Sequence, residues 1–163
     1  MTRLSSEICI QAQSTHVWCI LADLGAIENF NPSVRASRYI SEQRMGPGAA
    51  RRCELRPMGA LEETIIEWKA GEAMTLKMHS WHRTPPFHTA TVRFAIAPQG
   101  SATLASCEVN YCMKWGPFGR LIDRWMVRPK FRKVVAGIVQ GLKHYCETGE
   151  AVTPEVWRRV RAL

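Results

Sequence analysis

The sequence predicts an α+β domain in which a curved antiparallel sheet of seven strands wraps one long C-terminal helix. Two observations carry this. The run from Gly116 to Gly149 is the only one long and periodic enough to form a long helix. Before it, from Val34 onward, the chain divides into short stretches of alternating apolar and polar residues separated by Gly and Pro turn chemistry. The length of 163 residues fits a single core without covalent staples.

Taken in order, Ser5 to Gln13 reads as a first strand, with Ile8 and Ile10 alternating against Glu7 and Cys9. Ser14 is placed to cap a helix whose apolar positions are Val17, Trp18, Ile20 and Leu21, ending near Asp23 and Gly25. A second short helix over Ala26 to Phe30 stops at Asn31 and Pro32. Six strands follow: Val34 to Glu42, Ala49 to Arg56, Ala60 to Lys69, Ala73 to His82, Phe87 to Ala97 and Ala102 to Lys114. The turn around Met58 and the other short connections predict antiparallel neighbours.

Within the C-terminal run, Phe131, Val134, Val135, Ile138, Leu142 and Tyr145 recur at spacings of three and four, giving one apolar face. Pro129 interrupts the run. A straight helix would turn Arg120, Arg124 and Arg128 onto the same face as Phe131 and Val135, and unpaired guanidinium groups are too costly to bury. The run therefore divides. A short basic segment is expected to pack through Phe118, Leu121, Ile122, Trp125 and Met126, and a longer helix runs from about Lys130 to Glu147 with Gly149 as C-cap. Gly137 and Gly141 on its flank allow close approach.

A sheet curled around a helix is the helix-grip arrangement, and it leaves a hollow. Trp68, Met78, Trp81 and Phe94 either fill this interior as core or, with Val135 and Ile138, line an apolar pocket.

The segments VWCILADLGAIENFNPSV, GAARRCEL followed by LEETIIEW, and GPFGRLIDRWMVRPKFRKVVAGIVQGLKHYCETG resemble the START-like SRPBCC superfamily, in its polyketide cyclase, dehydrase and lipid-transport branch. The resemblance covers about residues 5 to 149. It implies a START-like, pollen-allergen-like fold with a deep apolar cavity for lipids, polyketides or other hydrophobic molecules, and no single reaction. Many relatives carry Trp where this chain has Phe30 before Asn31 and Pro32, so the shape of the cavity entrance, which Phe30 borders, is expected to differ. Residues 1–149 then form the domain, and 150–163 a basic tail, with Val156, Trp157 and Val160 giving a short amphipathic helix.

Charge is concentrated at one end. Residues 1–113 carry 11 Lys and Arg against 10 Asp and Glu, whereas 114–163 carry 11 against 4. The basic segment holding Arg120, Arg124 and Arg128 is either a solvated face or the contact for an acidic carrier protein or an anionic membrane surface. Nucleic acid is not expected, since no binding motif appears. The six cysteines show no CxxC pair, and there is no leader-like segment or long apolar run, which together fit a reducing cytoplasm.

Several residues are candidates for chemistry. Arg51 and Glu63 fall on one sheet face as diagonal neighbours on adjacent strands. They form a structural salt bridge, or they hold the polar point of a ligand with Glu63 as proton acceptor, its pKa raised by desolvation. His79 and His82, in HSWH, are either strand-end surface residues or a cavity acid/base. Three apart on a strand, they face opposite sides and make a poor metal pair, and no metal or cofactor is expected. Tyr111 is a core tyrosine or polarises a ligand carbonyl. No nucleophile elbow or nucleotide loop occurs. The expected function is binding of a hydrophobic small molecule, either by a cyclase- or dehydrase-like enzyme using Glu63, Tyr111 and His79, or by a non-catalytic lipid or hydrophobic-ligand carrier.

Overall fold

The computed structural model describes residues 1–57, 59–82, 87–114 and 116–162, with the side chains of 80–82, 117 and 120 outside the description. The elements are β1 (Thr2–Ile10), α1 (Ser14–Ala22), a 3₁₀ turn (Leu24–Asn29), β2 (Val34–Tyr39), β3 (Ala50–Leu55), β4 (Ala60–Lys69), β5 (Ala73–His82), β6 (Phe87–Gln99), β7 (Ala102–Met113), α2 (Gly116–Ile122), a π turn (Asp123–Val127), α3 (Arg128–Thr148) and α4 (Pro154–Val160).

The seven strands form one antiparallel sheet in the order β1-β7-β6-β5-β4-β3-β2. Chain neighbours pair with one another, and β1 returns to the far edge beside β7, with Ile8 opposite Ala105. Period-two alternation decides which side is buried. On β7, Ala105, Cys107, Val109 and Tyr111 point inward while the residues between them are partly exposed. The covering face of α3 presents Val135, Ile138, Val139, Leu142 and Cys146, with Phe131, Val134 and Tyr145 half-buried against the same core. Gly141 is required here, because a Cβ at that position would lie 2.0 Å from the carbonyl oxygen of Phe30. The loop after the 3₁₀ turn therefore rests directly on the helix backbone.

Two local expectations change. The residue preceding α1 is Gln13, and no side chain caps the helix, so Ser14 is its first residue and not its cap. The C-terminal run is divided by the π turn, one turn upstream of Pro129. The proline lies two residues after the end of that turn, within a continuous run of helical backbone. A π turn holds an extra residue, so it rotates the upstream segment by roughly a quarter turn relative to a continuous α-helix. That rotation buries Gly119, Asp123 and Val127 in a row. It turns Phe118, Leu121, Trp125 and Met126 outward, at 65, 55, 74 and 59% exposure, so of the residues expected to pack this segment only Ile122 is half-buried.

Gly149 closes α3 in the left-handed region, at φ 73°, its N–H donating to the Tyr145 carbonyl. The tail then folds back on the domain. The Val152 N–H donates to the Asn29 carbonyl at 2.8 Å, Val156 is buried, and the Trp157 ring lies over Gly137.

Candidate functional site

Between the inner face of the sheet and α3 lies a cavity of about 190 Å³. Its apolar wall includes Leu61, Met78, Phe94, Phe131, Val134 and Ile138. The wall residues Val34 at the start of β2, Leu55 at the end of β3 and Leu61 near the start of β4 mark one end of the sheet, where α2 also begins after β7. This volume is below the roughly 300–1,000 Å³ of drug-sized ligand sites, so the cavity suits a compact molecule.

Arg51 and Glu63 both line it, at 2% and 5% exposure. They are direct partners in the β3–β4 ladder, not diagonal ones. The Arg51 Nε–H donates to Glu63 Oε2 at 2.7 Å, and Nη1 donates to the Leu24 carbonyl at 3.2 Å. Nη2 also lies 2.7 Å from Oε2, but no N–H of Nη2 is aimed at an acceptor. The proximity is ionic, and a donor is left unused. Burial alone would lower the Arg51 pKa; the Glu63 carboxylate outweighs it, so the guanidinium stays charged. Both contacts of Glu63 to Arg51 use Oε2, and Oε1 has no hydrogen-bond partner among the described residues. The cavity is thus apolar with one internally neutralised ion pair in its wall, and Glu63 Oε1 is the acceptor left free of Arg51. Beside it, burial pushes the Cys53 thiol up to about 11, so at neutral pH it is a thiol and not a nucleophile.

The other expected residues divide. Met78, Phe94 and Ile138 line the cavity with Arg51 and Glu63. Trp68 does not: it packs edge-on against Trp18, ring centres 5.0 Å apart. Phe30 is buried beneath α3 while its neighbour Asn31 reaches the wall, and Val135 lies beside Leu4 and Ser5 of β1. The side chains of Trp81 and Arg120, and residue Met58, lie outside the described residues.

His79 faces away from the cavity because it follows the inward-facing Met78 in the alternation of β5. Glu62 pairs with Ser80 and Glu63 with Met78, so His79 has no partner in β4, and its side chain is exposed. Tyr111 points inward, but its hydroxyl donates to Asp123 Oδ1 and its ring packs against Phe87 and Phe131. Burial and the Asp123 carboxylate push its pKa up, so the phenol stays protonated in a structural bond. Asp123 also accepts from Thr2 Oγ1 at 2.9 Å and from Arg128 Nη2 at 3.1 Å. Arg128 is therefore committed internally, whereas Arg124 is exposed. The one signal for Asp123 was its standing as the sole acidic residue between Lys114 and Lys143. Among the described residues no group of His, Cys, Asp or Glu is placed to hold a metal ion. No helix among them is long and apolar enough to cross a membrane.

The family model described as polyketide cyclase / dehydrase and lipid transport matches residues 1–147. The chain belongs to this family. Among curated proteins none matches the sequence. Solved structures similar to the family member described here include TTHA0849 from Thermus thermophilus, at 17% identity and a TM-score of 0.73, covering 89% of this chain and 97% of that one. A START superfamily protein from Mycobacterium smegmatis is similar at 16% identity and 0.64, covering 86% and 98%. DynU16, a protein of the dynemicin biosynthetic locus, is similar at 13% identity and 0.67, covering 91% of this chain and 48% of that one. At these identities the likeness is one of fold, and it confirms the START-like helix-grip architecture.

Proposed function

We propose that the protein binds a compact, largely apolar molecule carrying a carbonyl or hydroxyl group, and that it acts on it as a cyclase- or dehydrase-like enzyme. The observation that carries this reading is the Arg51–Glu63 pair in the wall of the apolar cavity, with the Glu63 Oε1 acceptor free of Arg51. A ligand with no polar group would leave that acceptor unsatisfied, which is costly in so dry a site. A ligand with a free carboxylate would bring a second negative charge to a pair that is already neutral.

The matching chemistry is proton abstraction beside a carbonyl. Glu63 takes the proton from the carbon α to the carbonyl, and the electron pair moves onto the carbonyl oxygen, the enolate charge being offset by the nearby Arg51 guanidinium. Collapse of the enolate onto a second carbonyl forms a ring C–C bond, and the alkoxide so formed takes the proton back from Glu63. Collapse with loss of a β-hydroxyl instead gives an enone, Glu63 returning its proton so that water leaves. The cavity wall holds the chain folded for either outcome. DynU16 comes from a locus named for natural-product biosynthesis, a fold-level support for the same class of substrate.

The test uses 2-naphthol as binding probe and an aryl β-hydroxy ketone as reaction probe. The expected result is saturable naphthol fluorescence that Val134→Trp abolishes by filling the cavity, and enone formation that Arg51→Met/Glu63→Leu removes while the protein still unfolds cooperatively within about 8 °C of the native melting temperature. Naphthol binding unchanged by Val134→Trp sinks the cavity reading. Binding without enone formation in the native protein sinks the catalytic step and leaves a carrier.

A further inference from the structure

Half of the exposed large apolar side chains among the described residues lie within nine positions. Phe118, Leu121, Trp125 and Met126 stand out from α2 and the π turn, whereas Met1, Ile40, Met45 and Ile66 are scattered. Spacings of three and four put the first three on one face, with Met126 beside them. Scattered exposed residues are ordinary; a contiguous group containing Trp and Phe marks an interaction surface.

The segment is built to keep these residues outward. Its opposite face is pinned by Gly119, where a Cβ would lie 2.0 Å from the Lys114 carbonyl, and by Asp123 with its bonds to Tyr111, Thr2 and Arg128. To turn Trp125 inward would break that buried polar network. Four large apolar side chains are therefore held in water by construction.

The surroundings choose the occupant. Lys114, Arg124 and Lys130 are exposed around the patch, and the one acidic residue in this stretch, Asp123, is buried. A second copy of the chain docked on the same patch would set basic rims against each other. A surface that is apolar within and anionic outside fits. We propose that α2 and the π turn dock the protein on an anionic lipid bilayer, with Phe118, Leu121, Trp125 and Met126 in the interfacial layer and Arg124, Lys114 and Lys130 at the headgroups. Because α2 starts at the end of the sheet that bears the cavity wall residues Val34, Leu55 and Leu61, docking brings that end of the cavity to the lipid. An apolar ligand then passes between bilayer and cavity with little exposure to water. The docking itself does not depend on catalysis.

The experiment is flotation of the full chain with vesicles of phosphatidylcholine alone and of phosphatidylcholine with about one-third phosphatidylglycerol. The protein is expected to float with the anionic vesicles only, and to be released by high salt. Phe118→Ser/Trp125→Ser should lower partitioning tenfold or more. Arg124→Gln/Lys130→Gln should lower it by roughly 25-fold, about fivefold per charge. All four side chains are exposed or at the surface, so melting temperatures should stay at the native value and separate lost docking from lost folding. Flotation absent with both vesicle types, equal with both, or unaffected by the Phe118/Trp125 replacement overturns the proposal. Self-association that disappears in Phe118→Ser/Trp125→Ser, without vesicle binding, overturns it in favour of a second copy.

Discussion

Replacing Glu63 by Gln should cost more stability than its hydrogen bonds from Arg51 and Cys53 suggest, and replacing both members of the ion pair should recover most of it. Arg51 is 2% exposed, and its charge is balanced by Glu63 and one backbone carbonyl. Removing the carboxylate leaves a guanidinium in the core with no counter-charge, a loss of about 3–5 kcal/mol. At the roughly 2–3 kcal/mol/M expected for urea unfolding of a domain this large, the midpoint falls by about 1–2 M. In Arg51→Met/Glu63→Leu both desolvation penalties vanish and the volume is filled with apolar atoms, so the double variant should lie within about 2 kcal/mol of the native protein. Urea unfolding followed by far-ultraviolet circular dichroism completes the cycle, with an expected coupling of several kcal/mol. A Glu63→Gln cost under about 1 kcal/mol would mean that the pair is hydrated. Additivity within about 0.5 kcal/mol would mean that the two side chains do not depend on each other. Either result removes the physical basis for a dry polar anchor in the cavity.

Two further outcomes concern packing and the buried thiols. Gly141→Ala places a methyl where the Phe30 carbonyl oxygen sits and should cost at least about 2 kcal/mol. Gly137→Ala meets side-chain atoms, the Trp157 ring at 3.2 Å and Pro32 Cγ at 3.4 Å, and gains about 1 kcal/mol of helix propensity, so it should be near neutral; equal costs in urea unfolding would refute the contrast. Burial raises the thiols of Cys53 to about 11 and Cys146 to about 12, with Cys107 raised as well. A raised pKa favours the protonated form in the folded state, so this stability is fully present below the free thiol's pKa and is lost as pH rises through the folded values. Urea stability should hold to about pH 8.5 and fall between about pH 9 and 11, with Cys53 contributing on the order of 2–3 kcal/mol. Cys53→Ala should flatten that fall, and an unchanged slope would exclude this thiol as a cause.

The fold was legible because its signals are local and repeated. β4 and β5 have the limits that alternation and turn residues predict, and the buried face of α3 follows its helical spacing. The cavity was legible only as far as alternation holds. Arg51, Glu63, Met78 and Phe94 could be placed inward by counting along the strands, and the same counting puts His79, next to Met78, outward. Tyr111 was placed on the correct face, but its role depends on Asp123, whose approach across α2 and the π turn is a tertiary event. Trp68 and Phe30 were apolar and inward-reading, yet which inward residues touch the empty space is decided by packing against α1 and α3, not by period.

The C-terminal run avoids setting a row of unpaired arginines against the core. Of the two whose side chains are described, Arg124 is exposed and Arg128 is half-buried with Asp123 as its partner. The change of face falls at the π turn, which ends two residues before Pro129. The rotation comes from the extra residue in the π turn. It exchanges an arginine row for Gly119, Asp123 and Val127 on the buried side, and it gives Arg128 a buried carboxylate partner. The same rotation has a second effect that the charge argument did not contain. Whatever apolar residues shared the packing face before the turn must move with it, so relieving the buried charge is what turns Trp125 and Phe118 into solvent. Core electrostatics and the exposed patch are therefore two consequences of one backbone insertion, and a change that restores α geometry there would remove both together.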